Sequence, residues 1–244
     1  YLATVGSGLI GVFDRAQTHL RLCDYTGEPV AELAGQPWLD LVAGLPRLVA
    51  GRLVAWQDAT RRRLTIDRVA VSPDDAHLRS YVGSIDGTLY LTAGTQAAES
   101  RVACVDADGF RWLSPPDRFA TAVVESGLLV TSESGWDAYG STITVRDAQY
   151  DPLTVIDSLA EEPVVAATPL RLPAVTDDVQ TVVLLPTGGT EGRLPVLMFP
   201  YGGPHAQRVL AARSAYASAQ WLADQGFAVL VADGRGTPGQ SAAW

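Results

Sequence analysis

The sequence predicts a partial β-propeller of about four blades followed by the opening part of an α/β domain. Three observations carry that reading. Short β-prone runs broken by turn signals fill residues 1–150, with almost no helical periodicity among them. Within those runs a strand ends in aspartate at Asp24, Asp67, Asp106 and Asp147, at intervals of 43, 39 and 41 residues. A period near 40 with several short strands per unit is the mark of propeller blades. Beyond residue 160 the pattern changes to strand, helix, strand, the unit from which a parallel sheet is built.

The β-prone runs are, in order, "HLRLCDYTG", "RLVAWQD", "RRLTIDRVAV", "GTLYLTAG", "SRVACVDADG", "GLLVTSES" and "STITVRDAQ". Aspartate is common after strands, and the repeat is thin in residue identity: "DYTGEPVAEL" and "DADGFRWLS" share only the turn and a polar-to-apolar drift. A sandwich or a barrel is the other home for so much strand, and neither predicts this period. Residues 1–160 are therefore read as blades, and residues 161–244 as a junction leading into a second domain. The junction is proline-rich and ends in the strand-like "TVVLLP". After the turn "GGTEGRLP" comes "VLMF", a continuous apolar run expected of a strand covered on both faces. Residues 211–225, "AARSAYASAQWLADQ", lack Gly and Pro and place Ala215, Ala219, Leu222 and Ala223 along one helical face, with Gly226 as a stop. "FAVLVAD" then reads as another buried strand.

Composition narrows the function classes. The 244 residues are 47% hydrophobic and 18% charged, an ordinary globular balance. A net charge of −9 argues against nucleic acid as a partner, because phosphate binding needs clustered Lys and Arg. The cluster Arg61, Arg62 and Arg63 is short enough to be a solvated turn. Apolar runs such as "FAVLVA" fall far short of the roughly 20 residues of a membrane span. Cys23 and Cys104 lie in strand-like stretches without C-x-x-C spacing and read as buried free thiols. So few cysteines favour a cytoplasmic home. No metal or cofactor motif is present.

One loop stands out. "FPYGGPHAQRV", residues 199–209, follows a buried strand, and in open α/β sheets ligands and chemistry collect at the carboxyl ends of strands. On its own Tyr201 reads as a strand-end aromatic with a satisfied hydroxyl. Gly202 and Gly203 let the backbone bend there, and Pro204 stiffens the turn. The stretch Asp233 to Thr237, "DGRGT", follows the next buried strand at the same edge and reads as scaffold. It lacks the spacing of either common glycine-rich phosphate loop.

The Y-G-G-P block followed about thirty residues later by D-G-R-G-T resembles the start of the catalytic domain of the prolyl oligopeptidase family of serine peptidases, in its dipeptidyl peptidase IV branch. The close likeness covers roughly the last fifth of the chain. It implies a seven- or eight-bladed propeller capping an α/β-hydrolase domain, with Ser, Asp and His in that chain order. It implies for Tyr201 a place in the oxyanion hole, a phenol O–H aimed at developing negative charge. Asp233, Arg235 and His205 fall around that site. It further implies a peptide substrate, release of N-terminal dipeptides with proline or alanine second, and a homodimer formed through the hydrolase domain.

No G-x-S-x-G elbow occurs in the sequence. Ser241 in "GQSAA" has no strand before it, and His19, His77 and His205 all precede the place where the nucleophile belongs. Nucleophile, acid and base are thus expected beyond Trp244. The glutamate pair that anchors the substrate's amino terminus in this branch is expected before Tyr1, because Glu161 and Glu162 lie at the junction. The 244 residues alone are expected to be inactive. Two other readings remain: a catalytically empty propeller and hydrolase-like binding module, or a prolyl endopeptidase or acylaminoacyl peptidase.

Overall fold

The computed structural model describes residues 2–4, 10–13, 20–33, 47–49, 52–57, 63–67, 69–172, 179–189, 191–201, 206–234 and 237. Its first part is a series of four-stranded antiparallel meanders. The first comprises β1 (Leu2–Thr4), β2 (Ile10–Phe13), β3 (Leu20–Cys23) and β4 (Pro29–Leu33). The second comprises β5 (Arg47–Val49), β6 (Arg52–Gln57), β7 (Arg63–Ile66) and β8 (Val69–Ala70). The third is β9 (His77–Ile85), β10 (Thr88–Gly94), β11 (Arg101–Asp106) and β12 (Gly109–Trp112). The fourth is β13 (Arg118–Glu125), β14 (Leu128–Gly135), β15 (Thr142–Arg146) and β16 (Pro152–Ile156). In each, strands pair in chain order.

The aspartate period has a structural cause. Each of the four aspartates falls at the end of the third strand of its meander, where the chain turns into the fourth. Asp24 Oδ1 accepts the N–H groups of Thr26 and Glu28 at 2.8 and 3.0 Å, and Asp147 Oδ1 accepts those of Gln149 and Asp151 at 2.9 Å each. Asp106 Oδ1 takes the Asp108 N–H at 2.9 Å. A carboxylate that bonds the backbone two residues on fixes the turn.

The sheets pack face to face through alternating residues. Leu89, Leu91 and Ala93 of β10 and Ala103 and Val105 of β11 meet Val54, Leu64 and Ile66 of the second meander. The opposite faces of the same two strands, Tyr90, Val102 and Cys104, meet Ala120 and Leu129 of the fourth. Period-two alternation thus buries both faces of the third sheet. Contact with the fourth meander is tight at Gly83, where a Cβ would lie 2.6 Å from Cβ of Val124. Cys23 and Cys104 are buried free thiols.

The last sheet is mixed. It contains β17 (Leu170–Leu172), β18 (Thr181–Leu184), β19 (Val196–Met198) and β20 (Ala228–Ala232) in the order β17-β18-β20-β19. Only β19 and β20 run parallel; the other pairs are antiparallel. Between the parallel strands lie a 3-10 turn (Arg213–Tyr216) and helix α1 (Ala217–Ala223).

Two expectations change here. The helix is shorter than residues 211–225, and its buried face is Tyr216, Ala219, Gln220 and Ala223, with Ala215 exposed. The tighter first turn rotates Ala215 outward and brings Tyr216 in. Gly226 does end the helix, at φ +98° with its N–H on the Ala223 carbonyl at 2.8 Å. Nor is β19 covered on both faces: Leu197 packs against the core cluster, while Val196 and Met198, which alternation points to the opposite face, are 66% and 53% exposed. No described helix is long and apolar enough to cross a membrane.

Candidate functional site

Because β19 and β20 are parallel, the segments that leave their carboxyl ends emerge at one edge of the sheet. Tyr201 lies three residues beyond β19 and is 41% exposed. Asp233 lies immediately after β20 and is 4% exposed. The backbone continues the sheet past β19, since Phe199 N–H donates to the Leu230 carbonyl at 2.8 Å. Gly202, Gly203, Pro204, His205 and Arg235 lie outside the described residues, as do Ser241, His19, Arg61 and Arg62.

Asp233 does not face outward as a reacting group. Its Oδ1 accepts the Arg208 N–H at 2.8 Å and its Oδ2 accepts the Val209 N–H at 2.9 Å. The carboxylate therefore clamps the chain that returns from the Tyr201 loop onto the end of β20. Burial pushes its pKa above the ordinary carboxylate value, while these two N–H groups and the nearby charges of Arg208 and Arg79 pull the other way.

The returning chain is fixed again a few residues on. The Tyr216 hydroxyl accepts the Leu210 N–H at 2.9 Å and donates to the Leu210 carbonyl at 2.8 Å. Burial raises the pKa of this phenol, so it stays protonated and able to donate. A cleft of about 220 Å³ opens between the returning chain and the sheet, lined by Phe199, Gln207, Arg208, Leu210, Tyr216 and Val231 among others. The Arg208 guanidinium lies 5.0 Å from the centroid of the Phe199 ring, a cation–π contact.

The meanders touch this site directly. Gln207 Nε2 donates to the Ala97 carbonyl, and Ala211 N–H donates to the Ala98 carbonyl at 2.8 Å. Trp136, just past β14, stacks on Tyr216 with ring centroids 5.6 Å apart and planes at 16°. These partners were not legible in the sequence, because residues 97, 98 and 136 lie far from the loop along the chain. Glu161 and Glu162 are exposed in the connector between β16 and β17. Among the described residues no group of His, Cys, Asp and Glu side chains is arranged to hold a metal ion.

Residues 176–241 match the family model of the X-Pro dipeptidyl-peptidase (S15 family). Two solved structures resemble nearly the whole chain. One is dipeptidyl peptidase 4 of Porphyromonas gingivalis, with a TM-score of 0.74 at 16% identity over 94% of this chain and 36% of that one. The other is assigned as a dipeptidyl aminopeptidase IV of Bacteroides ovatus, with a TM-score of 0.74 at 16% identity over 98% of this chain and 42% of that one. The chain is similar to dipeptidyl peptidases.

At 16% identity the structural likeness is one of fold, and the chain spans less than half the length of either structure. No curated protein matches it by sequence. The matching family model belongs to S15, whereas the Y-G-G-P and D-G-R-G-T motifs resemble the prolyl oligopeptidase family. Both point to a dipeptidyl-peptidase-like chain.

Proposed function

We propose that this chain forms the last four blades of a propeller and the first strands and helix of the α/β-hydrolase domain of a serine exopeptidase. That enzyme removes N-terminal dipeptides, with proline or alanine second, from short peptides. Residues 1–160 supply the blades, and residues 161–244 the junction and the opening of the catalytic domain. The observation that carries the proposal is the parallel pair β19 and β20, with the Tyr201 loop at its carboxyl edge, inside the region matched by an X-Pro dipeptidyl-peptidase model. Four meanders ahead of a mixed sheet support the prolyl oligopeptidase architecture over the branch named by that model.

In this reading a serine carried beyond residue 244 attacks the carbonyl of the substrate's second residue, and a histidine takes the serine's proton. Negative charge gathers on the former carbonyl oxygen. The Tyr201 O–H donates to that oxyanion and stabilises the charge as it develops. The tetrahedral intermediate expels the peptide amine, protonated by the histidine, and leaves a dipeptidyl ester on the serine. Water then releases the dipeptide by the same sequence. Asp233 supports the loop by accepting the Arg208 and Val209 N–H groups.

The test is made on the whole protein that contains these residues. It is expected to hydrolyse Xaa-Pro anilides and to spare the same substrates when their amino terminus is acetylated. Tyr201→Phe is expected to lower kcat about 100- to 1000-fold with little change in KM. Hydrolysis of acetylated peptides would point to the acylaminoacyl or endopeptidase alternative. Lack of both hydrolysis and labelling by a fluorophosphonate would leave the binding-module reading.

A further inference from the structure

We propose that Arg79, on β9 of the third meander, is a positioning residue for the Tyr201 loop and acts through Gln207. The proposal rests on the function proposed above for its kinetic readout only.

Arg79 is a half-buried side chain with a planar fork of donors; two of them bond carbonyls of its own meander and one crosses the joint to Gln207. Its Nη1 donates to Gln207 Oε1 at 3.1 Å, its Nε to the Glu99 carbonyl and its Nη2 to the Ala97 carbonyl. The guanidinium lies 5.3 Å from the centroid of the Phe119 ring, which fixes its plane. The Gln207 amide is thereby oriented from both ends. Its oxygen takes Arg79, and its nitrogen donates to the Ala97 carbonyl and to the Val209 carbonyl, the latter at 2.9 Å.

The consequence follows from chain connectivity. Only four residues separate Tyr201 from Ala206, and the segment that follows is held from two sides. The sheet holds it through Asp233, which takes the N–H groups of Arg208 and Val209. The meanders hold it through Gln207 and through the Ala211 N–H on the Ala98 carbonyl. Loosening the meander-side grip lets the returning leg of the loop move relative to β19, and with it the Tyr201 phenol that donates to the oxyanion in the proposed mechanism. A misplacement of about 1 Å in a positioning element can cost on the order of 100-fold in rate. Lysine cannot replace Arg79 here, since a single ammonium does not present three donors in the plane that these acceptors occupy.

Four variants of the whole protein test this: Arg79→Ala, Arg79→Lys, Gln207→Ala and the double alanine variant. Arg79→Ala and Gln207→Ala are each expected to lower kcat at least about 10-fold with KM within about 2-fold. Arg79→Lys is expected to fall between them and the wild type. The double variant is expected to be no slower than the slower single one, because the two side chains act as one unit. Affinity for a dipeptide boronic acid, which forms a tetrahedral adduct, is expected to fall with kcat, while inhibition by the product dipeptide stays unchanged. Additive losses, a loss confined to KM, or equal weakening of both inhibitors would overturn the proposal.

Amide hydrogen exchange decides the same point without activity. Exchange at Arg208, Val209 and Ala211 is expected to speed up in Arg79→Ala while α1 stays protected, and unchanged exchange would overturn the clamp. A wild type without peptidase activity would sink the proposed function and leave the clamp to the exchange result alone.

Discussion

Two buried carboxyl groups lie on opposite sides of the joint, and their protonation runs in opposite directions. Glu99 is 2% exposed, yet it is held below the ordinary glutamate value. Burial alone would raise it, but its Oε1 accepts the Asp117 N–H at 2.7 Å and its Oε2 accepts the N–H and hydroxyl of Thr95 at 3.1 and 2.9 Å. Those bonds outweigh desolvation. Asp233 has two N–H donors, and there burial wins. A lowered folded pKa stabilises the fold above the unfolded value of 4.5, and that contribution is lost as pH falls through the folded value. A raised one does the reverse: Asp233 favours the fold below 3.8, and this is lost as pH rises past its folded value. Glu99→Gln is therefore expected to cost about 1–3 kcal/mol at pH 7, since one amide face cannot accept a backbone N–H. The gap in Tm between the variant and the wild type is expected to narrow as pH drops below 4.5. Thermal melts of the two proteins across pH 3 to 7 (roughly spanning the window set by that linkage) check the sign for Glu99.

At the scale of elements, helix α1 shows why a helical segment can be found in sequence while its face is misread. The run without Gly or Pro and the stop at Gly226 were legible, and the helix is there. The buried face was harder, because a polar residue is central to it. Gln220 is fully buried: its Oε1 accepts the Thr168 N–H at 3.0 Å, and its Nε2 donates to the Leu185 carbonyl at 2.8 Å and to Asp224 Oδ1 at 3.0 Å. One side chain thus ties the junction, the end of β18 and the end of α1 together. No hydrophobic pattern marks such a residue, since its value depends on partners 52 and 35 positions away. Gln220→Leu keeps the volume and removes the bonds, leaving a backbone N–H and a carbonyl without these partners. It is expected to cost about 2–3 kcal/mol, read as a lower midpoint in urea with an unchanged slope.

Over the whole molecule, the meanders and the mixed sheet meet through aromatic and backbone contacts more than through charge. Trp136 contacts both Tyr216, stacked at 5.6 Å, and the Arg171 guanidinium, 5.2 Å from its ring centroid. The Ala167 carbonyl accepts from both Arg213 Nε at 2.6 Å and the Tyr139 hydroxyl at 3.3 Å. Ala98 of the meander side is buried in the same cluster as Val182, Val229 and Tyr216. The ion pair of Arg171 with Asp117, at 2.8 Å, is exposed on both sides and contributes little. Trp136→Ala is expected to weaken the joint enough that calorimetry of the whole protein resolves an earlier transition for the mixed sheet. A single transition shifted as a unit would show that the joint does not depend on this stack.

The sequence by itself determined the order of units and the turns. Period-two alternation, glycine stops and the aspartates at Asp24, Asp106 and Asp147 act over a few residues, so they can be read from a few residues. Tyr201 and Asp233 could likewise be placed at one sheet edge, because a strand, helix and strand run imposes it. Only the tertiary structure decided what Asp233 holds, that β19 has exposed side chains, and that Arg79, Gln207 and Trp136 bear on the loop. Those contacts join residues up to 128 positions apart. Their energies depend on desolvation and on which donors meet which acceptors, and neither exists until the sheets have packed.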